Sequence, residues 1–251
     1  MEPRLIRWSW PKTQNYLDRS RLILIPIGST EQHGPNGLLG TDAMCAEEIA
    51  LGVAAKVDAA VAPTIAVGMS LHHLGFPGTI SLRPATLLQL VTDYVTSLYR
   101  HGFRGFLFVN GHGGNVAAGT AALQGLRDQF QDADLRWMDW FRLPVIEEMG
   151  TRLFGDRKGS HASPTEISVT MVCHGDAVEP IEGPMEMSVC RPRGIPGSDR
   201  FREYYPDGRI GSDPSLARRE HGEALIAAAV DAIAAEATEL SAAVAPGKTS
   251  S

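Results

Sequence analysis

The chain has 251 residues, 43% of them hydrophobic and 21% charged, which suits one compact α/β domain over residues 1–251. Its net charge is -6 with no Lys/Arg-rich run, which argues against nucleic acid or an anionic membrane surface as a partner. The three cysteines, Cys45, Cys173 and Cys190, are far apart and form no CxxC pair, so no disulfide framework is expected and a reducing compartment fits. Met1 to Trp8 lacks a long apolar run, and the Ala-rich stretch from Ala224 to Ala245 is broken by Asp231, Glu236 and Glu239. Neither a signal peptide nor a membrane span is expected, and the cytoplasm is the expected location.

In chain order, residues 22–28 read as a buried strand, and Asp42 to Val57 as a helix with Thr41 or Asp42 near its N-cap. Ala59 to Ala66 reads as a second strand, placed near a sheet edge by Pro63. Pro84 to His101 has helical spacing at Leu87, Leu88, Val91, Val95 and Leu98, with Pro84 suited to the first turn. Gly105 to Asn110 reads as a short apolar strand, Val116 to Phe130 as a helix and Ala133 to Trp140 as a further strand. Pro164 to Cys173 opens a helix, the Gly- and Pro-rich region to about Gly211 reads as loops with a short hairpin, and Pro214 to Val244 closes the chain as a helix. The tail from Pro246 to Ser251 is expected to fray. Strands separated by helices predict a mostly parallel sheet covered on both faces.

Chemistry gathers at the strand ends. Glu31, His33 and Asp42 place three metal-binding groups within twelve residues behind the first strand, where open α/β sheets bind ligands. One of the three could be shared between two ions. Asn110-Gly111-His112-Gly113-Gly114-Asn115 stands at another strand end, so His112 would project into the same crevice. The amides that follow, at Gly113, Gly114 and Asn115, could hold a substrate anion or oxyanion. Neither GxGxxG nor GxxxxGK[ST] is present, which disfavours a nucleotide-binding Rossmann-like reading. His161 and Glu166 form the third cluster. Glu166 reads either as the acidic member of a Ser163 capping box or as a catalytic residue that ligates a metal or accepts a hydrogen bond from a ligand, and His161 either as an acid/base group or as a partner that orients a carboxylate. Ser70 and His73, in a loop after the second strand, are substrate-contact candidates or solvated polar residues. Trp137, Trp140 and Phe141 read as core, with a pocket wall as the alternative.

The segments Gly28-Ser29-Thr30-Glu31-Gln32-His33-Gly34-Pro35 with Thr41-Asp42, Phe76-Pro77-Gly78-Thr79-Ile80, Asn110 to Asn115, and His161-Ala162 with Glu166 resemble the creatininase (creatinine amidohydrolase) family in order and spacing. The resemblance runs from about residue 20 to residue 175. It implies a three-layer α/β/α sandwich, two divalent ions per subunit, hydrolysis of non-peptide C–N bonds, often in cyclic amides, and a homo-oligomer, usually a hexamer. By motif, Glu31 and His112 would bind one ion and His33 the other, with Asp42 between them. Zinc, manganese and iron all accept such mixed ligands. Creatininase itself carries Tyr-Glu where this chain has Gly113-Gly114, and that glutamate is a metal ligand there. The second ion would therefore be completed by Glu166, completed by water, or held weakly. The Gly-Gly form resembles the family's formamide hydrolases of deazaflavin biosynthesis and its mycofactocin-precursor peptidases, and it argues against creatinine as substrate. Asn36 stands where a histidine is frequent, and Ser163-Pro164 alters the usual His-Ala-Gly run.

The expected activity is therefore metal-dependent hydrolysis of a cyclic amide or formamide. Two ions sharing Asp42 would lower the pKa of a bridging water, which attacks the carbonyl, while His161 protonates the leaving nitrogen. A peptidase or deformylase specificity shares the same metal core. A non-catalytic α/β binding module is the alternative from another class, and the presence of Glu31, His33, Asp42 and His112 together speaks against it.

Overall fold

The computed structural model describes residues 2–187, 190, 194 and 196–247. Four strands form one parallel sheet in the order β2-β1-β3-β4: β1 (Leu22–Ile27), β2 (Ala60–Val61), β3 (Gly105–Asn110) and β4 (Asp134–Asp139). In register, Ile27 lies opposite Asn110, and Asn110 opposite Asp139, so three strands end level.

Side chains alternate across a strand, so each apolar strand feeds two cores. Leu22, Leu24, Leu107 and Val109 face α2 (Thr41–Val57) and α8 (Arg219–Ala243), with Ile146 of α5 (Pro144–Phe154) and Val169 of α6 (Pro164–His174) in the same cluster. Ile23, Ile25, Ile27, Phe106 and Phe108 face α3 (Pro84–His101), α4 (Val116–Gln129) and Tyr16 of α1 (Trp10–Leu17). The expected three-layer α/β/α sandwich is the observed architecture. Among the described residues no helix is long and apolar enough to cross a membrane.

Several expectations are corrected. The strand expected over Ala59 to Ala66 shrinks to Ala60–Val61, because Pro63 has no N–H to give the ladder. The chain still follows β1 loosely, since Ala62 N donates to Leu24 O and Ile65 N to Pro26 O. As expected, this strand is at the edge. The N-cap of α2 is Gly40, so Thr41 and Asp42 stand beside it as expected, with Asp42 in the first turn. The closing helix starts at Arg219, not Pro214, which opens a separate 3-10 turn. The expected hairpin is absent among the described residues before Gly211. A short helix, α7 (Ser198–Tyr204), and a single antiparallel bridge between His161 and Ile210 stand there instead. Most of the tail expected to fray, from Lys248 on, lies outside the described residues.

Candidate metal centre

The chain passes from β1 outward to β2 and then returns to the other side of β1 as β3. The crevice between β1 and β3 is thus the switch point at which such sheets take ligands. Glu31 and His33 lie just beyond β1, and His112 just beyond β3. A Cβ on Gly28 would stand 2.3 Å from Ala43 N, and one on Gly111 would stand 2.1 Å from Asp42 O. These two glycines let the first turn of α2 press against both strand ends, which carries Asp42 into the crevice. A helix N-terminus also favours its negative charge.

Asparagines brace the loops. Asn115 Nδ2 donates to Gly28 O at 2.9 Å, and its Oδ1 accepts from Met69 N at 3.0 Å. Asn110 Oδ1 accepts from His112 N at 3.1 Å, and its Nδ2 donates to Asp139 Oδ1 at 2.8 Å. Asn115, expected at the substrate, is fully buried and spends its amide on this bracing. Ser70 is likewise fully buried, paired with Ser29 and 3.2 Å from His112 Nε2.

The remaining expected residues converge. His33 Nε2 is 3.0 Å from Asp42 Oδ1, and His112 Nδ1 is 3.0 Å from Asp42 Oδ2, so the two carboxylate oxygens of Asp42 face one imidazole each. Glu31 Oε2 lies 3.3 Å from His112 Nε2, while Glu31 Oε1 lies 3.4 Å from His73 Nε2 and 3.6 Å from His161 Nδ1. Glu166 fills its capping-box reading and also stands near the cluster. Its Oε1 accepts from Ser163 N at 2.5 Å in a complete capping box, and its Oε2 stands 4.0 Å from His33 Nε2. Between His161 and Ser163 the backbone turns at Ala162, whose φ of 51° sends the imidazole inward just before α6 begins.

Among the described residues three overlapping sets could hold an ion: Glu31 with Asp42 and His112, His33 with His161 and Glu166, and Glu31 with His73 and His161. Both oxygens of Glu31 and Oδ2 of Asp42 are buried and accept no hydrogen bond. Buried carboxylate oxygens left this way call for a cation. The protonation pattern says the same. Burial pushes the Glu31 carboxyl up to about 7, against the pull of His112. Burial alone would lower His33 and His112, yet Asp42 lifts His33 to about 10, and Glu31 with Asp42 lifts His112 to about 9. Burial raises Asp42 too, but the two imidazoles outweigh it and hold the carboxyl below its ordinary value. Burial and a neighbouring imidazole depress His73 and His161. The residues therefore fit divalent ions in charge and in donor type.

A cavity of about 690 Å³ opens over the cluster, lined by Glu31, Asp42, His73, His112, Gly113, Gly114, His161 and Glu166. Phe141, Phe201 and Tyr205 supply its aromatic wall, while Trp137 and Trp140 pack in the two cores. Phe201 and Tyr205 carried no sequence signal, because α7 is too short to show a period. Gln32 was also missed. It is buried, and its side chain meets His73, Gly208 and Gly34.

A family model described as creatinine amidohydrolase, of the creatininase family, matches residues 7–237. The mycofactocin precursor peptide peptidase of Mycolicibacterium smegmatis is 39% identical over 163 residues, 62% of this chain and 60% of that relative. The chain thus aligns with less than two thirds of that peptidase. The creatinine amidohydrolase of Pseudomonas putida is 28% identical over 231 residues, 85% of this chain and 87% of that one. Two solved creatininase structures, one with manganese and one mutant of Zn-Zn type, superpose with TM-scores of 0.81 and 0.79 at 24% identity, each covering 96% of this chain and 99% of the other.

Proposed function

Because the chain belongs to the creatininase family, we propose that it is a divalent-metal-dependent amidohydrolase with two ions that share Asp42. The observation that carries this reading is the set of three buried carboxylate oxygens without hydrogen-bond donors, faced by imidazole nitrogens. Glu31 and His112 would hold one ion, His33 and Glu166 the other. Zinc, manganese or iron bound there would polarise an amide carbonyl and lower the pKa of a water.

The chain's own groups do the rest. His161 Nε2–H donates to Gln32 O at 2.8 Å, so its Nδ1 faces Glu31. That atom is placed to take a proton from the attacking water and return it to the leaving nitrogen. The amides of Gly113 and Gly114 border the cavity and offer donors to the substrate oxygen. The bond cleaved is a C–N amide bond. A cyclic amide or formamide of a small molecule is one substrate class. A peptide is the second, favoured by the 39% identity to a peptide peptidase.

Protein purified without chelator should carry divalent metal, up to two ions per chain, and Asp42→Ala should lose both together. A metal-free protein of full activity would remove this reading. Metal-loaded protein assayed against cyclic amides, formamides and short peptides then separates the two substrate classes.

A further inference from the structure

Gln32 lies between two proposed ligands, yet neither an ion nor the cavity accounts for its buried amide. Two backbone groups fix the orientation of that amide. Oε1 accepts from Gly34 N at 2.9 Å, and Nε2 donates to Gly208 O at 3.0 Å. A flipped amide would set oxygen against oxygen and nitrogen against N–H. The second hydrogen on Nε2 then has two nitrogens in reach, His73 Nδ1 at 2.8 Å and His161 Nε2 at 2.9 Å. His161 Nε2 also stands 2.8 Å from the carbonyl oxygen of Gln32, which can only accept. That nitrogen therefore carries a hydrogen and cannot accept a second one. Its approach to the Gln32 amide is a contact between two donors, and the amide hydrogen goes to His73 Nδ1. An imidazole that accepts at Nδ1 carries its hydrogen at Nε2.

We propose that Gln32 is a positioning residue that holds His73 as an Nε2–H hydrogen-bond donor, aimed past Glu31 Oε1 at the oxygen of the amide substrate, and keeps it from binding an ion. His73 Nε2 is 3.4 Å from Glu31 Oε1 and borders the cavity. Distance alone would let His73 join Glu31 and His161 around an ion. Ligation through Nε2 would put the hydrogen on Nδ1, directly against the Gln32 N–H. The rings of His73 and His161 stack with centroids 4.3 Å apart, so Gln32 sets unlike neighbours side by side: a donor from His73 and an inward-facing Nδ1 from His161. A donor fixed before reaction stabilises the negative charge that develops on a carbonyl oxygen, and removing one such donor costs about 10²–10³ in kcat.

The kinetic arm of this inference rests on the hydrolase reading, and the spectroscopic arm does not. Long-range ¹H–¹⁵N correlation spectra of the zinc-loaded protein, with His73 assigned by its absence in His73→Gln, should show His73 protonated at Nε2 alone. In Gln32→Glu, whose carboxylate only accepts, the hydrogen should move to Nδ1. If that variant does not fold, Gln32→Met removes the same donor without adding charge and should release His73 from the single tautomer. Zinc content should be unchanged in His73→Gln, and kcat on a turned-over amide should fall about 10²-fold with KM nearly kept. His73 protonated at Nδ1 in the unaltered protein, or a loss of zinc in His73→Gln, would overturn the proposal. A chain that binds zinc but hydrolyses no amide counts against the hydrolase reading, while the spectrum still decides the role of Gln32.

Discussion

Gly114 shows how one residue shapes the centre. A Cβ there would stand 2.2 Å from Met69 O and 2.4 Å from His112 Nε2, whereas nothing lies within 4 Å of one on Gly113. A side chain at this point thus has no room in this backbone, and Glu166 Oε2 is the acid that stands on the His33 side. The two neighbouring glycines should therefore respond differently. Gly113→Ala should keep fold and metal content. Gly114→Ala must push His112 aside, and a shift of that kind can cost about 10²-fold in rate. Metal analysis and kcat/KM of the two variants check this, and equal behaviour would refute it. Glu31, His33 and His112 were legible in the sequence because each sits just past a strand end, where a short motif carries its own structural context, and Asp42 because it opens the helix that follows. Gln32 and Asn115 were not. Their partners lie 176 residues away at Gly208 and 87 residues away at Gly28, and only the folded chain brings these together.

At the level of elements, α6 joins structure to chemistry through its first turn. Ser163 Oγ accepts from Glu166 N at 3.3 Å, and Glu166 Oε1 returns the bond to Ser163 N. The cap fixes the Glu166 side chain so that its other oxygen turns toward His33. The two functions should separate by mutation. Ser163→Ala loses one cap bond, so stability should fall by about 1 kcal/mol with metal content kept. Glu166→Gln keeps an oxygen to accept from Ser163 N but loses the charge, so the stability of the chelated protein should hold while one of two ions is lost from the loaded form. Denaturant unfolding and metal analysis on both variants test this. Retention of both ions in Glu166→Gln would leave that residue a cap alone. The long elements were legible because β1 and β3 are continuous apolar runs buried on both faces and α3 spaces its apolar residues at the helical period. The short elements were not. β2 has two residues, and α7 has seven and buries only Phe201, too little pattern to declare a period.

At the level of the molecule, two apolar cores flank the sheet and the charged groups gather at one edge of it. Ile23, Ile25, Ile27, Phe106 and Phe108 fill one face and Leu22, Leu24, Leu107 and Val109 the other, all of them buried. Glu31 and Asp42 are buried just beyond, with three oxygens that accept no hydrogen bond. Without an ion the buried Glu31 carboxylate opposes folding, because its burial outweighs the pull of His112, whereas Asp42 is paired with His33 and His112. An ion that binds only the folded chain reverses the sign. At a free concentration about 1,000 times its dissociation constant it adds about 4 kcal/mol. For a chain of this size each kcal/mol moves the unfolding midpoint by about 2–4 °C. Chelated protein should therefore unfold about 10 °C below the zinc- or manganese-loaded form. Glu31→Gln removes one of the buried charges and a proposed ligand together, so it should narrow that gap sharply and bring the chelated protein closer to the loaded one. Calorimetry on samples of measured metal content decides the matter. Equal midpoints with and without bound ions would mean that the cluster is neutralised by its own imidazoles, His33 and His112, and that metal is no part of what holds this edge of the sheet together.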